Sequence, residues 1–256
     1  MRRIRVIPVL LIQNGGLVKS IRFRKHQYVG DPINAVKIFN EKEVDEIAIL
    51  DISASREKRP PNIRQVAEIA GEAFMPLAYG GGITKLDEIK QILSEGAEKV
   101  VLNTSALDNP GLITEAAQQF GSQSIMASID VQKNWRGQYR VYRDNGSKNT
   151  GLAPEELARR VEAAGAGEIF LNSIHRDGTF EGYDLELTKR VTEAVGIPVI
   201  ACGGAAEVED FYRAVAVGGA SAVAAGSFFV FQRPHRAVLI SYPGQEELRE
   251  KVFERL

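Results

Sequence analysis

Two groups of glycine and small polar residues in this chain have the composition of anion sites. Gly82, Asn103 and Thr104 form one group; Gly203, Gly204, Gly226 and Ser227, with Asp177-Gly178-Thr179, form the other. Glycine lets backbone N–H groups come close to a phosphate, and helices that start just after such glycines add the positive ends of their dipoles. Single glycine pairs more often serve tight strand-to-helix turns. Two related sets at one rim instead favour a ligand with a phosphate at each end. Asp51, Asp130 and Asp177 fall beside these glycines, where a carboxylate can bind hydroxyls or carry a proton.

The two sets are copies. Gly81 and Gly204 lie 123 residues apart, and the same offset carries Ala97 onto Ala220 and Asn103 onto Gly226. Apolar runs of strand length recur at 4–12, 47–51, 76–79, 100–103, 124–130, 168–172, 198–202 and 221–226. Continuous rather than alternating apolarity is what strands buried on both faces show. Helical segments alternate with them. Asp31-Pro32 and Asn109-Pro110 each place a capping residue before a proline, and Asp184 opens a third helix with Leu187, Val191 and Val195 on one face, stopped by Gly196. Eight strand–helix units predict an α/β fold, a (β/α)8 TIM barrel. It is expected as one domain of residues 1–256, with half-barrels of about 1–122 and 123–256. An open doubly wound sheet is the runner-up, and the half-chain repeat disfavours it. In such a barrel the reactive face lies at the carboxyl ends of the strands, where the glycine sets and aspartates fall.

Composition narrows the function. Lys plus Arg number 32 against 33 Asp plus Glu, so nothing argues for nucleic acid or an anionic membrane. A lone cysteine precludes an internal disulfide and fits a reducing cytoplasm. His26, His175 and His235 lack ligand spacing, so neither a metal nor a cofactor is expected. The basic start followed by an apolar run superficially resembles a signal peptide. The run is short and contains Pro8, so a first barrel strand is the better reading, and no stretch is long enough to span a membrane.

Gly30-Asp31-Pro32, Leu50-Asp51-Ile52, Tyr79-Gly80-Gly81-Gly82-Ile83, Lys99-Val100-Val101-Leu102-Asn103-Thr104, Ile129-Asp130 and Arg176-Asp177-Gly178-Thr179 occur in order. Together they resemble the cyclase subunit of imidazole glycerol phosphate synthase over about residues 4–232. The resemblance implies a barrel that takes ammonia from a glutaminase subunit, adds it to a bis-phosphorylated ribulosyl substrate and closes an imidazole ring. It implies acid/base work by two aspartates at the ends of strands one and five. Asp130 matches the second; the first falls at Leu11, which can neither donate nor accept a proton. It also implies that Arg5, Glu46, Lys99 and Glu168 form a charged gate for ammonia at the amino ends of the strands, with Glu98 and Gln123 on a partner-facing rim. A salt-bridge plug serving stability is the alternative.

Asn172 and Cys202 stand where the family tends to carry threonine and serine. Cys202 reads as a small buried filler rather than a nucleophile. The segment 20–28, with Arg22, Arg24, Lys25 and His26, resembles a loop that closes over substrate, and Lys19 at its base could meet a phosphate. The tail (His235-Arg236-Ala237-Val238-Leu239-Ile240-Ser241-Tyr242-Pro243), with Leu10-Leu11 and Asn14-Gly15-Gly16, is similar to a paralogous branch linked to acetamidino modification of bacterial surface sugars. That likeness implies a glutaminase partner, a sugar amidotransferase and a phosphorylated ligand. An authentic cyclase and a non-catalytic ammonia conduit stay open beside it.

Overall fold

The computed structural model describes residues 3–256; Met1 and Arg2, the start of the stretch with signal-peptide character, lie outside the described residues. Eight parallel strands close on themselves: β1 (Arg5–Gln13), β2 (Ile47–Asp51), β3 (Leu77–Gly80), β4 (Lys99–Leu102), β5 (Ile125–Lys133), β6 (Glu168–Ser173), β7 (Val199–Cys202) and β8 (Ala222–Ala225). Leu11 pairs with Leu50, Ile49 with Tyr79, Tyr79 with Val100, Val101 with Met126, Asp130 with Asn172 and Asn172 with Cys202. Ala201 then pairs with Val223, and Ala224 with Ile7, which completes the ring. Helices between the strands bury one face against the outside of this barrel. The main cluster of Phe39, Ile69, Ile92, Ile113, Val161, Val191 and Phe211 against Val6, Ile49, Tyr79 and Val223 is the result. Inside the barrel a second, separate apolar cluster joins Ile7, Val9, Ala48, Ala78, Val101, Met126, Phe170, Ile200, Ala222 and Ala224.

The half-chain repeat has counterparts in the backbone. Asn103 (φ −112°, ψ −78°) and Gly226 (φ −104°, ψ −74°) adopt nearly the same conformation, each just before a short helix. Helices Leu86–Ser94 and Val208–Ala216 are both nine residues long. Each begins where a carboxylate, Glu88 or Asp210, folds back to accept backbone N–H groups. Gly81 (φ +125°) and Gly204 (φ +105°) are in left-handed backbone conformations, and a Cβ at either would meet a carbonyl oxygen, that of Asp51 or of Gly182, at 2.4 or 2.3 Å. Only glycine fits there.

Three expectations need correction. Strand five begins at Ile125 after a 3-10 turn at Ser122–Ser124 and runs on to Lys133, because it pairs antiparallel with Tyr139–Arg143 beyond Asp130. The helix opened by Asp184 spans Leu185–Thr192, so Val195 packs from the turn that follows. The segment after strand one is not a loop but an antiparallel hairpin, Gly16–Ile21 with Arg24–Gly30, laid back along β1. Asn14 (φ +52°) and Gly15 (φ +81°) make the tight turn from β1 into Gly16–Ile21, as an Asn-Gly pair favours, and Arg22 (φ +54°) and Phe23 (φ +59°) make the turn of the hairpin itself.

Candidate functional site

The carboxyl ends of the strands surround a cavity of about 120 Å³, walled by Val9, Leu11, Lys19, Asp51, Gly82, Asn103, Thr104, Asp130, Asn172, Asp177, Cys202 and Gly226, among others. Residues from both halves of the chain therefore face one space. The hairpin after β1 covers part of it with Ser20, Phe23 and His26.

Asp130 is buried, and the Asn103 side-chain amide donates to its Oδ2 at 3.1 Å. Burial pushes its carboxyl up to about 7, against the opposing hydrogen bond from Asn103 and with help from the negative charge of Asp177. Acid and base forms then coexist near neutrality, as a proton-transferring group requires. The same shift costs stability. The folded chain holds a proton there that the unfolded chain releases above pH 4, so stability declines as pH rises from about 4 to 7. Replacing Asp130→Asn should therefore raise the melting temperature little at pH 4, progressively more towards pH 7, and by a constant amount above it. A gain independent of pH would show that burial does not act on this carboxyl.

Leu11 holds in β1 the place that Asp130 holds in β5, since Leu11 pairs with Leu50 of β2 as Asp130 pairs with Asn172 of β6. Both are near the ends of nine-residue strands, and both pair with an antiparallel hairpin strand, Leu11 with Val18 and Asp130 with Tyr142. The cavity's other wall carboxylates do not take over at Leu11. Asp51 has both oxygens engaged, Oδ1 by the N–H groups of Ser53 and Ala54 and by Arg59, and Oδ2 by Arg59 at 2.8 Å. Its geometry is that of a loop organiser. Asp177 accepts from Ser20 Oγ at 2.8 Å and from the Phe23 N–H, while burial holds its carboxyl above the usual range. It ties the hairpin to the loop after β6.

The glycine sets also differ in detail from expectation. The helices after Asn103 and Gly226, Thr104–Asp108 and Ser227–Val230, are only five and four residues long. Helix dipoles thus add little, and any anion would rely on individual N–H groups. Gly178 is packed under the hairpin, its Cβ position 2.2 Å from the Ser20 carbonyl oxygen, and Thr179 donates to the Arg176 carbonyl. Gly203 and Gly204 are buried, Gly203 against Ser173 and Asn172, and Gly204 against Gly182. Ser227 is buried behind Gly226.

Three features were not foreseen. Lys19 is buried within the cavity wall, its ammonium donating to the Val9 carbonyl, and burial lowers its pKa to about 8. Asn172 Oδ1 is buried without a hydrogen-bond donor. The tail forms a small hairpin, Phe231–Gln232 with Ala237–Val238, whose Arg236 donates to the Gly178 carbonyl at 3.0 Å and packs its guanidinium over Phe180 and Phe231. Arg233 donates to Ala206 O at 2.8 Å. Cys202 is buried, and burial raises its thiol pKa, so it lacks thiolate character.

At the opposite end Arg5, Glu46, Lys99 and Glu168 meet across the barrel axis. Arg5 bonds Glu46 and Glu168, and Lys99 bonds Glu46 at 3.1 Å and Glu168 at 2.8 Å, so positive and negative groups alternate around a closed square. The two carboxylates keep the Arg5 guanidinium pKa raised although burial alone would lower it. Above the square the interior is lined by the apolar cluster described above. Glu98 and Gln123 are exposed beside β4 and β5, as a contact rim would require. Among the described residues no cluster of His, Cys, Asp and Glu could hold a metal, and no helix is long and apolar enough to cross a membrane.

A family model described as histidine biosynthesis protein matches residues 5–234. A chain of Pseudomonas aeruginosa provisionally named imidazole glycerol phosphate synthase subunit hisF2 is 52% identical over 248 residues, covering 97% of this chain and 99% of that one. A provisionally named HisF subunit of Leptospira interrogans is 47% identical over 250 residues, 97% and 98% of the two chains. The imidazole glycerol phosphate synthase subunit HisF of Alkaliphilus metalliredigens is 46% identical over 225 residues, 88% and 89%.

Proposed function

Since the chain belongs to the histidine biosynthesis protein family, as a HisF-like barrel of the imidazole glycerol phosphate synthase cyclase group, we propose that it receives ammonia from a glutaminase subunit at its base and serves amidine formation on a bacterial surface sugar at its mouth. A separate sugar amidotransferase would then share the final step. The observation that carries this reading is the contrast between the two ends of the barrel. The base keeps a complete, paired square of four charges, whereas the mouth has Leu11 where a second proton carrier is expected.

In this reading Asp130 moves protons, and the Asn172 side chain forms part of the wall that the arriving ligand meets. Lys19, Gly82, Asn103, Thr104 and Gly226 line the space for a phosphorylated ligand, while Gly178, Thr179, Gly203, Gly204 and Ser227 lie behind that wall. Asp51 and Asp177 shape that space. The apolar interior suits passage of neutral ammonia and resists ammonium, whose desolvation is expensive. The tail supports the paralogous branch: the family model stops at residue 234, while both provisionally named relatives cover 97% of the chain.

Deleting the gene from its host tests this. Loss of acetamidino groups from the surface polysaccharide with growth unaffected by histidine starvation is expected; a histidine requirement would reject the reading in favour of an authentic cyclase. A second test uses Leu11→Asp with an ammonium salt and the ribulosyl intermediate of the histidine pathway. Imidazole glycerol phosphate formation should rise at least ~10²-fold over the parent chain, the usual scale of one positioned acid/base group. No rise would mean that more than this side chain separates the mouth from a cyclase.

A further inference from the structure

We propose that Lys19 is an amine nucleophile that forms a reversible imine with the carbonyl carbon of a small phosphorylated aldose or ketose held in the barrel mouth. This goes beyond the amide-nitrogen reading and does not depend on it, because it requires only the cavity and the amine.

Three observations combine. Lys19 is 3% exposed and its side chain lines the cavity rather than pointing to bulk water. Among the described residues its one hydrogen bond goes to a neutral carbonyl, that of Val9, and no ion pair holds it. The wall around it places Val9, Leu11 and Cys202 beside the Asp177 carboxylate, whose charge opposes the effect of burial without outweighing it. A lysine desolvated in this way resists protonation, and the neutral amine is the nucleophile. Burial lowers its pKa to about 8, so about one amine in ten is neutral at pH 7, some two orders of magnitude more than for a lysine in water.

The same cavity carries the other groups that imine formation uses. The nitrogen lone pair adds to the carbonyl carbon and the carbonyl oxygen takes up a proton, giving a carbinolamine. Asp130, in its acid form, protonates the departing hydroxyl; water leaves, and the nitrogen proton returns to the Asp130 carboxylate. Amine plus carbonyl thus gives imine plus water, with no redox partner. Asn172 and Ser128 line the same cavity and supply polar groups beside which a sugar hydroxyl can lie. A cavity of about 120 Å³ admits a phosphorylated sugar of a few carbons. The leucine at position 11 matters here as well: a further carboxylate there would add to the charge of Asp177, favour the ammonium form and suppress the nucleophile.

The test is reductive trapping of the whole chain with glyceraldehyde 3-phosphate and sodium cyanoborohydride at pH 7.5, followed by peptide mass mapping. One adduct at Lys19 is expected, forming at least ~10-fold faster than at exposed lysines such as Lys25 and slowed by inorganic phosphate. Lys19→Arg, which keeps the charge, should lose that adduct while the chain stays folded, and Leu11→Asp should slow its formation. Adducts spread over surface lysines, with Lys19 unmodified or labelled no faster than they are, would overturn the proposal and identify Lys19 as an anion contact only. Either result leaves the charged square and Asp130 untouched, so failure here is separable from failure of the amide-nitrogen reading.

Discussion

Asp130→Asn is expected to cut the acetamidino content formed per unit time by on the order of 10²–10⁴-fold, with stimulation of the glutaminase unchanged. The argument is local. Among the described residues Asp130 is the one carboxyl lining the mouth that is neither engaged by an arginine nor used to pin a loop; it accepts from the Asn103 amide, itself a cavity residue. Burial keeps it near pH 7, so the parent activity should lose its basic form below about pH 7 and its acid form above. Asparagine preserves shape and the pairing with Asn103 while removing both forms. The measurement is the acetamidino fraction of surface polysaccharide in cells whose sole copy carries the variant. A change of less than about threefold would mean the barrel only conducts ammonia.

Lys99→Met is the second large expectation. Lys99 bonds both Glu46 and Glu168, and Arg5 alone would then face two carboxylates. Removing one member of a fully buried ion pair costs about 3–5 kcal/mol, but Arg5 is 31% and Lys99 16% exposed, so roughly 1–3 kcal/mol is expected. The functional effect should be specific. Glutamine-driven output falls at least ~10-fold, whereas output driven by external ammonium salt is kept, because ammonium in solution can reach the open mouth without the base. Equal loss with both nitrogen sources would show that the square serves stability only, as barrel bottoms commonly do.

Much of this arrangement is visible in the residues. Eight uninterrupted apolar runs separated by capped helices specify a barrel because each run must be covered on both faces. The repeat from Gly81 to Gly204 exposes the symmetry of the mouth, and the family resemblance exposes the mismatch of Leu11 and Asp130. What escapes is whatever depends on chain segments folding back. Lys19 reads as a loop-base residue that could meet a phosphate, and its burial follows only once the strand Gly16–Ile21 lies along β1; the Asn14-Gly15 pair was the available signal. The orphaned Asn172 oxygen depends on what Gly203 and Cys202 leave around it, which spacing cannot give. Arg236 reaches Gly178 through a tail hairpin with no strong periodicity, and only its cation–π contacts with Phe180 and Phe231 reveal the attachment. The roles of Asp51 and Asp177 shifted for the same reason: Arg59 and Ser20, distant or unremarkable in sequence, claim their oxygens.

One assay bears most directly on the proposal that this barrel keeps a nitrogen inlet at its base and carries one proton-transferring group at its mouth. The purified parent chain is given saturating ammonium salt and the ribulosyl bisphosphate intermediate of histidine synthesis, and imidazole glycerol phosphate is measured. Turnover at least ~10²-fold below that of a relative bearing aspartate at the Leu11 position is predicted. Turnover equal to that relative would contradict the account, since Leu11 would then be no obstacle to ring closure.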